Sequence, residues 1–576
     1  MSSAPLLLLL CFAPLAFGTT ETWSVAAAET LAAVAVLLHF RPCAARRTAF
    51  QSVPGLLPLL LLLLWLLAQC LPLPPALMQA LSPQTAAVWQ PVLDLLPPDT
   101  WIPLSLNPQA ALREGLRLGS YVLVYILAAQ LLCSGRRLSL FLSSIAGLTL
   151  CIAIVTMLQR AAAPESLFWL RPVRSGFGSF GPWVYRNHYA GFMVMTCPLL
   201  LAACLLNLPE RDGEEETLRQ RLLRLCSGSG LHLLFGFGAM AAVASVFLSQ
   251  SRGGILSLTV ALLVFVLLLA WRMRERWLIL PLLAVLLAGA WFNWDSLLLR
   301  FQYAVDPNGG LRDDRLLIWR DTFRIIADFP LTGAGVGSFA DVFPSYKTLA
   351  DDLFYDHAHN DFLELLAEGG AIGFLLAAWF AWTVLRSGWR QIFSRHDRLA
   401  VLTAISAFSG LAGLLFFSLT DFNLHNWANG LHCFFLCALL AAAGRARQHH
   451  RRPAETAAQS PAAGGLVFLG AAVLLLAVLR LHGGALTAAA AYSWAKSAAE
   501  EPGRSAEEKS RRIEELLEEA RRGDPWNGLY PYLLGRIRMR QRRPELALPL
   551  HVEAARRQPL EEKYLRAAAR ARQARQ

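Results

Sequence analysis

The segment DHAHNDFLELLAEGGAIGF, residues 356–374, joins a long polar stretch to an apolar stretch long enough to cross a membrane. The polar stretch covers residues 301–368 and lies between two blocks of strongly hydrophobic sequence. It also contains an arginine cluster, LRDDRLLIWR at 311–320, and a glycine-rich turn, LTGAGVGSF at 331–339. We therefore expect this loop to carry the chemistry and the apolar blocks to form its scaffold.

The apolar blocks determine the fold class. Hydrophobic residues make up 55% of the 576 residues, and the mean hydropathy is +0.42, as is typical of membrane proteins. Apolar runs that can cross a hydrocarbon layer roughly 30 Å thick occur thirteen times. An all-α polytopic helical bundle of about 13 transmembrane helices is predicted. The runs are 5–18, 25–40, 54–72, 118–134, 138–158, 188–206, 230–249, 254–271, 277–293, 370–387, 399–419, 427–444 and 464–482.

Charge and cysteine usage exclude other classes of protein. The net charge of +12 lies mainly in short loops beside the apolar runs, where it sets membrane orientation, so no nucleic-acid partner is predicted. The ten cysteines fall almost entirely inside apolar runs and show no CxxC pair or disulfide framework. We interpret them as small core residues.

The arginine-rich short loops alternate along the chain, and by the positive-inside rule they face the cytoplasm. The predicted topology has the N-terminus inside and the loop 294–369 outside, which makes it a large periplasmic loop in a bacterial inner membrane. The other outside segments are 73–117, 159–187, 250–253, 420–426 and the tail after residue 483. Because the first run ends in AFG at 16–18, a cleaved signal peptide and a first membrane span both remain open.

One outside segment, 159–187, runs against the charge rule. Its arginines are Arg160, Arg171, Arg174 and Arg186, against a single glutamate. Two interpretations remain open. The arginines pair with carboxylates such as Asp313, Asp314 or Asp356, or they bind an anionic ligand at the outer membrane face, since the planar guanidinium fork suits phosphate oxygens.

Arg252 interrupts an apolar stretch that otherwise extends from 230 to 271. A charge at this depth is costly, and such residues usually face a bundle interior or a water-filled cavity, which points to a functional role. The alternative is an arginine whose side chain extends to the interface from a turn between helices.

The C-terminal region changes to charged helix-forming residues. EARRGDP at 519–525 recurs as EAARRQP at 553–559, an offset of 34 residues, which is the period of a tetratricopeptide repeat. A single repeat is too short to be stable alone, so we expect the tail to pack on the membrane domain or on a partner protein. The predicted domains are 1–485, the membrane domain, and 486–576, a periplasmic repeat-like region; a generic helical tail is the alternative.

His357 and His359 would share a face of an extended segment. No zinc site is predicted, because no third histidine or cysteine follows at a usual spacing. A neutral imidazole can accept a proton from a sugar hydroxyl, and Asp356, Asp361 or Glu364 could hold the required tautomer. The alternative is a histidine that only caps or braces the next helix. The glycine-rich turn lacks the lysine of a nucleotide-binding loop, so ATP is not expected.

Four motifs, in this order and topology, resemble the O-antigen ligase and polymerase superfamily. They are YRNHYAG at 185–191, SRGG at 251–254, RLLIW at 315–319 with PLTGAG at 330–335, and HAHN at 357–360 with EGGAIG at 368–373. The resemblance covers about residues 180–375. Members of that family move a glycan from a polyprenyl diphosphate carrier to an acceptor at the periplasmic face, without ATP or a metal.

The resemblance implies a glycosyltransferase with an undecaprenyl diphosphate-linked glycan as donor, lipid A core as acceptor, and no cofactor. By resemblance, His359, Arg252 and Arg315 match the family's functional residues. The full set of predicted site residues adds Arg186 and Arg174 for the donor diphosphate and His357, Asn360, Asp356 and Asp361 in support. Since no carboxylate nucleophile is evident, direct attack by the acceptor hydroxyl should invert the anomeric centre.

Other functions stay open. Within the same class, the acceptor is the next glycan, making a polymerase, or a protein hydroxyl, making an O-oligosaccharyltransferase. Outside it, a transporter of lipid-linked glycans would also bury arginines, but it should show inverted repeats, which are not evident in the sequence.

Overall fold

The computed structural model describes residues 3–41, 50–172, 179–209, 229–273, 314–444, 461–500 and 505–576. The predicted span 277–293, the first part of the outside loop at 294–313, and Arg174 lie outside these residues. The described part of the chain is almost entirely helical. Its strands form two short antiparallel pairs, Pro72–Leu73 with Ile102–Pro103 and Ser166–Leu167 with Arg171–Pro172.

Twenty α-helices are described. In chain order they are α1 (Ala4–Leu15), α2 (Thr22–His39), α3 (Leu56–Ala68), α4 (Pro75–Leu81), α5 (Pro83–Leu93), α6 (Pro108–Leu131), α7 (Gly135–Ala162), α8 (Arg186–Leu206), α9 (Leu231–Ser249), α10 (Arg252–Met273), α11 (Asp314–Asp328), α12 (Phe339–Val342), α13 (Asp361–Ser394), α14 (Arg398–Phe417), α15 (Trp427–Ala443), α16 (Pro461–Glu500), α17 (Ala506–Gly523), α18 (Leu529–Arg540), α19 (Pro544–Arg557) and α20 (Glu562–Arg575). Short 3₁₀ turns are Phe17–Thr19, Phe343–Ser345 and Asn423–His425.

The helices confirm the predicted class, an all-α polytopic membrane protein. Among the described residues, eight helices are long and apolar enough to cross a membrane: α2, α7, α8, α9, α10, α13, α14 and α16. The apolar helices α1, α3 and α15 are shorter. Each predicted span except 277–293 overlaps a described helix. The total of thirteen crossings stays a prediction, because it depends partly on that span.

Local sequence fixes where the helices begin. Helix α6 begins at Pro108, well before the predicted span at 118, because Asn107 accepts a hydrogen bond from the Ala110 N–H at 3.0 Å and proline fits the first helical position. Asn426 caps α15 in the same way, with its Oδ1 3.1 Å from the Asn429 nitrogen.

Helix α8 lies at the centre of the bundle. It packs against α7, α9, α10 and α14, and its residues from 187 to 200 are all buried. A helix that is apolar on every side is expected to be enclosed by others. The start of α8 is therefore held rigidly, and so is the polar motif that it carries.

Helix α13 is broken at Gly370, whose φ of 64° and ψ of −171° are not helical. The glycine-rich turn fits into this break: the Ala371 N–H donates to the Pro330 carbonyl at 2.9 Å, and the Gly335 N–H donates to the Glu368 carbonyl at 3.0 Å. A Cβ on Gly333 would lie 2.1 Å from the Glu368 carbonyl oxygen. The glycines thus allow two backbone segments to meet, and the turn has a structural role here.

The C-terminal helices pack on the rest of the chain. Helix α17 lies along α16, and α19 and α20 contribute Ala554, Ala555 and Tyr564 to a hydrophobic cluster that also contains Trp89 and Ala358. Helix α16 is continuous across residue 485, so no break in secondary structure marks the predicted domain boundary. That boundary and the tetratricopeptide character of the tail stay predictions.

Candidate active site

The histidine-containing segment lies against the last outside loop. Asn360 caps α13, with its Oδ1 accepting from the Phe362 and Leu363 N–H groups at 3.0 and 3.1 Å, and its Nδ2 donates to the Leu419 carbonyl at 3.0 Å. The Asp361 N–H donates to the Ser418 carbonyl at 3.0 Å. These bonds hold the start of α13 against the end of α14, which brings residues 357–361 beside residues 418–425.

Two histidines and two carboxylates form a continuous polar contact, which we name the histidine–carboxylate bridge: His357, Glu364, His425 and Asp361. Glu364 Oε1 lies 2.6 Å from His357 Nδ1 and 3.2 Å from His425 Nε2. His425 Nδ1 lies 3.0 Å from Asp361 Oδ1. Burial lowers the pKa of His425, but the two carboxylates outweigh it and raise that pKa to about 10.

His357 and His359 differ in charge although one residue separates them. Burial lowers the pKa of His357, yet attraction to Glu364 outweighs it and leaves that pKa raised. For His359, burial and then the positive charges of Arg315 and His357 lower the pKa to about 4. His359 is therefore neutral at pH 7, and its buried Nδ1 has no hydrogen-bond partner among the described residues. This is the protonation state that a proton acceptor needs.

Two of the three predicted arginines of the described chain start a helix. Arg186 and Arg252 are the first residues of α8 and α10, whereas Arg315 lies on α11 next to where the described residues resume. Their charges interact, because Arg252 and Arg315 both repel Arg186. Helix starts carry partial positive charge, so the three side chains and the starts of α8 and α10 together favour an anion. We call these three residues the arginine cluster.

Asp421, in the last outside loop, lies beside Arg315 and is linked to Asn187 and Ser251, the chain neighbours of Arg186 and Arg252. Its Oδ2 lies 3.7 Å from Arg315 Nη2 and accepts from Asn187 Nδ2, and Asn187 Oδ1 accepts from Ser251 Oγ at 2.7 Å. Ser251 also caps α10 through the Gly254 N–H at 3.1 Å. Burial raises the pKa of Asp421 to about 6, against the opposing effect of Arg315.

The residues missed by sequence reasoning all come from the same short segment. Asp421 and His425 lie in the predicted outside loop 420–426, whose composition, TDFNLHN, is polar throughout except for two residues. That polarity beside an apolar span was the available signal. Phe422 completes the segment: His357 stacks on its ring at 4.2 Å, and His359 meets its edge at 5.0 Å.

The remaining predicted residues are less central. Asp356 is exposed, and no hydrogen bond from it joins the bridge among the described side chains, although its charge acts on His357. Among the arginines of the outside segment 159–187, Arg171 pairs with Glu21, which was not one of the carboxylates named for it. Asp313 and Arg174 lie outside the described residues.

Three bridge atoms could in principle hold a cation. Ligand atoms of His357, Glu364 and His425 lie within 4.8 Å of one another. The sequence argument found only two histidines because His425 is far along the chain. In the structure these nitrogen and oxygen atoms contact each other directly, so a cation would have to displace existing bonds. The prediction that the site needs no metal stays a prediction.

An apolar cavity of about 300 Å³ lies beside the bridge, between α3, α6, α13, α14 and α15. Leucine and phenylalanine side chains line most of it, and Asp361, His425, Glu368 and Arg117 form its polar end. Arg117 fixes this end, because its Nη1 donates to the His425 carbonyl at 2.8 Å.

Comparison with known families identifies the central part of the chain. Residues 237–378 match the sequence model of the family described as O-Antigen ligase. The match contains Arg252, Arg315, His357 and His359, and it confirms the resemblance to the O-antigen ligase superfamily. It begins in α9 and ends in α13, so it does not include Arg186 or the last outside loop. A search of curated proteins finds no match.

Proposed function

We propose that this protein is a glycosyltransferase that moves a glycan from an undecaprenyl diphosphate carrier to an acceptor hydroxyl at the periplasmic face, with lipid A core as the acceptor. The family match supports a membrane ligase or polymerase type of function. The donor, the acceptor and the mechanism are our proposal. The observation that carries it is that Arg315 and His359 contact the same loop, Arg315 at the Thr420 carbonyl (2.6 Å) and His359 at the Phe422 ring (5.0 Å), where the positive charge of Arg315 helps to keep His359 neutral.

The arginine cluster would bind the donor diphosphate. Breaking the bond between the sugar and the phosphate oxygen leaves the electron pair on that oxygen, so negative charge grows on the departing lipid diphosphate. Preorganised guanidinium groups stabilise such charge without moving. The starts of α8 and α10, at Arg186 and Arg252, add partial positive charge.

His359 would remove the proton of the acceptor hydroxyl while its oxygen attacks the anomeric carbon. One carbon–oxygen bond forms as the other breaks, so the configuration inverts, and the proton passes from His359 to solvent or to the released diphosphate. A pKa of about 4 makes His359 a weak base. The donor's negative charge opposes Arg315 and should raise that pKa, so that donor binding strengthens the base.

The lipid part of the donor also needs a binding site. The apolar cavity beside Asp361 and His425 offers space for part of a polyprenyl chain or another membrane lipid.

An inner-membrane location with the site facing the periplasm follows from the arginine-rich cytoplasmic loops. Reporter fusions after Arg274 and Arg395 should read cytoplasmic, and fusions after Gly310 and Arg522 periplasmic. A cytoplasmic tail would overturn this topology.

The experiment that tests the function is product analysis with purified protein in liposomes. Undecaprenyl diphosphate-linked glycan and lipid A core are supplied without ATP, and the products are separated and weighed by mass spectrometry. The proposal expects glycosylated lipid A core and free undecaprenyl diphosphate. Elongated lipid-linked glycan would identify a polymerase instead, and glycan moved across the bilayer unchanged would identify a transporter.

A further inference from the structure

The proposed transfer mechanism assigns no role to His425, although this residue lies at the centre of the histidine–carboxylate bridge. Its backbone is fixed by Arg117 of α6, and its ring contacts two carboxylates of α13. Ionisable groups act on it from several elements. Asp361, Glu364 and Glu368 come from α13 and His357 from the preceding loop, while His188 comes from α8 and Arg117 from α6. A buried residue with this many directed contacts constrains its neighbours strongly.

A short series of contacts leads from His425 to His359. His425 Nε2 orients Glu364 through Oε1, and Glu364 Oε2 accepts from the Ala358 N–H at 2.8 Å. Ala358 is followed directly by His359, whose φ of 51° lies in the left-handed region. A residue other than glycine keeps such a conformation only when its surroundings impose it. Glu364 holds His357 and the Ala358 N–H, and Trp319 Nε1 donates to the Ala358 carbonyl at 3.0 Å, so the backbone before His359 is fixed by both residues.

We propose that His425 is a positioning residue for the transfer reaction, which orients Glu364 so that the backbone at Ala358 places the His359 ring against the acceptor hydroxyl. This inference rests on the proposed function. The two ring nitrogens of His425 have separate tasks. The contact between Nδ1 and Asp361 anchors the ring to the start of α13. The contact between Nε2 and Glu364 fixes the position of that carboxylate, which in turn holds the loop at His357 and Ala358.

The two tasks can be separated by two amide substitutions. In His425→Gln the amide reaches the place of Nε2 and can still donate to Glu364, whereas in His425→Asn it reaches the place of Nδ1 and can bond only to Asp361. We expect His425→Asn to lower kcat about 10²-fold through misplacement of His359, with the donor KM unchanged. His425→Gln should keep most of the activity. His432→Asn is the matched control, since His432 is buried in the second turn of α15 and its Nδ1, whose place the asparagine amide reaches, bonds the Ala428 carbonyl at 2.8 Å.

A double-mutant cycle tests the route through Glu364. If His425 acts through that carboxylate, adding His425→Asn to Glu364→Gln should cost little more than Glu364→Gln alone. Independent, multiplying losses would overturn the proposal. So would equal losses in His425→Asn and His425→Gln, because a side chain that only fills space would not distinguish the two amides.

A measurement that does not use activity keeps this inference separate from the proposed function. Amide hydrogen exchange at Ala358 should be slow in the wild type and in His425→Gln, and fast in His425→Asn. If the wild-type protein transfers no glycan, the proposed function fails while the exchange pattern still decides whether His425 positions the loop. Slow exchange in all the variants would overturn the positioning role even if transfer is observed.

Discussion

The arginine cluster and the histidine–carboxylate bridge both act on His359, but their charges are arranged differently. In the bridge, positive and negative groups alternate, so that each charge is stabilised by a neighbour. In the cluster, Arg252 and Arg315 repel Arg186, and Asp421 offsets part of this positive charge through Arg315. A ligand phosphate would offset more of it. We therefore interpret the cluster as a binding feature for an anion and the bridge as a rigid support.

The comparison is tested most strongly by removing arginines. Arg315→Ala and Arg252→Ala should each lower transfer at least about 10²–10³-fold, because a preorganised partner of the leaving diphosphate is lost. Lysine should rescue poorly, since it lacks the planar two-point contact. The measurement is initial rate in liposomes at equal folded protein.

Arg324→Ala is the matched control for that experiment. Arg324 lies on the same helix, α11, but is exposed, so its removal should leave the rate near that of the wild type. Wild-type turnover in both alanine variants of the cluster would show that the electrostatic role assigned to it is wrong.

The second prediction compares the two histidines on either side of Ala358. His359→Ala should lose about 10²–10⁴-fold in rate, as is usual when a general base is removed. His357→Ala should lose less, because its ring braces the loop through Glu364 and takes no proton from the acceptor. Equal tolerance of both changes would leave His359 as a structural residue and move the search for the base to Asp356, Asp361 or Glu364.

The sequence predicted the cluster better than the bridge. Arg186 and Arg252 could be found because each is a charge at the edge of an apolar run, a local property. Arg315 lies in the polar stretch 301–368, and its role was implied by the resemblance. His425 and Asp421 act from a loop more than fifty residues after His357, and only the packing of α13 against α14 brings them together. The break at Gly370 was signalled by its glycines, but the insertion of the turn at 331–337 depends on tertiary contacts.

The third prediction concerns pH. The active form of His359 is neutral and exists above a pKa of about 4, whereas Asp421 loses its negative charge as pH falls through about 6. Transfer should therefore decline below about pH 6 as the carboxylate that orients Arg315 and Asn187 is neutralised. In Asp421→Asn the charge is absent at every pH, so the rate should be low throughout and the decline near pH 6 should be missing, which leaves only the decline set by His359. An unchanged pH profile of the transfer rate in that variant would show that Asp421 does not set the decline.

The smallest expected effect is that of metal removal. Because the nitrogen and oxygen atoms of the bridge already bond one another, neither EDTA nor added zinc should change the rate of the wild type. The contradicting result has three parts: a chelator abolishes the activity of the wild type, a divalent cation restores that activity, and Glu364→Gln shows no response to the chelator. This result would show that the bridge is a metal site and that the mechanism is wrong.

Direct binding of the donor tests the central claim, that the cluster holds the diphosphate while His359 performs the chemistry. Undecaprenyl diphosphate-linked glycan is titrated onto the wild type, His359→Ala and Arg315→Ala in nanodiscs, without acceptor. The account predicts equal affinity for the wild type and His359→Ala and at least about tenfold weaker binding for Arg315→Ala, the loss of one charge-assisted contact. Full affinity in Arg315→Ala together with lost affinity in His359→Ala would contradict it.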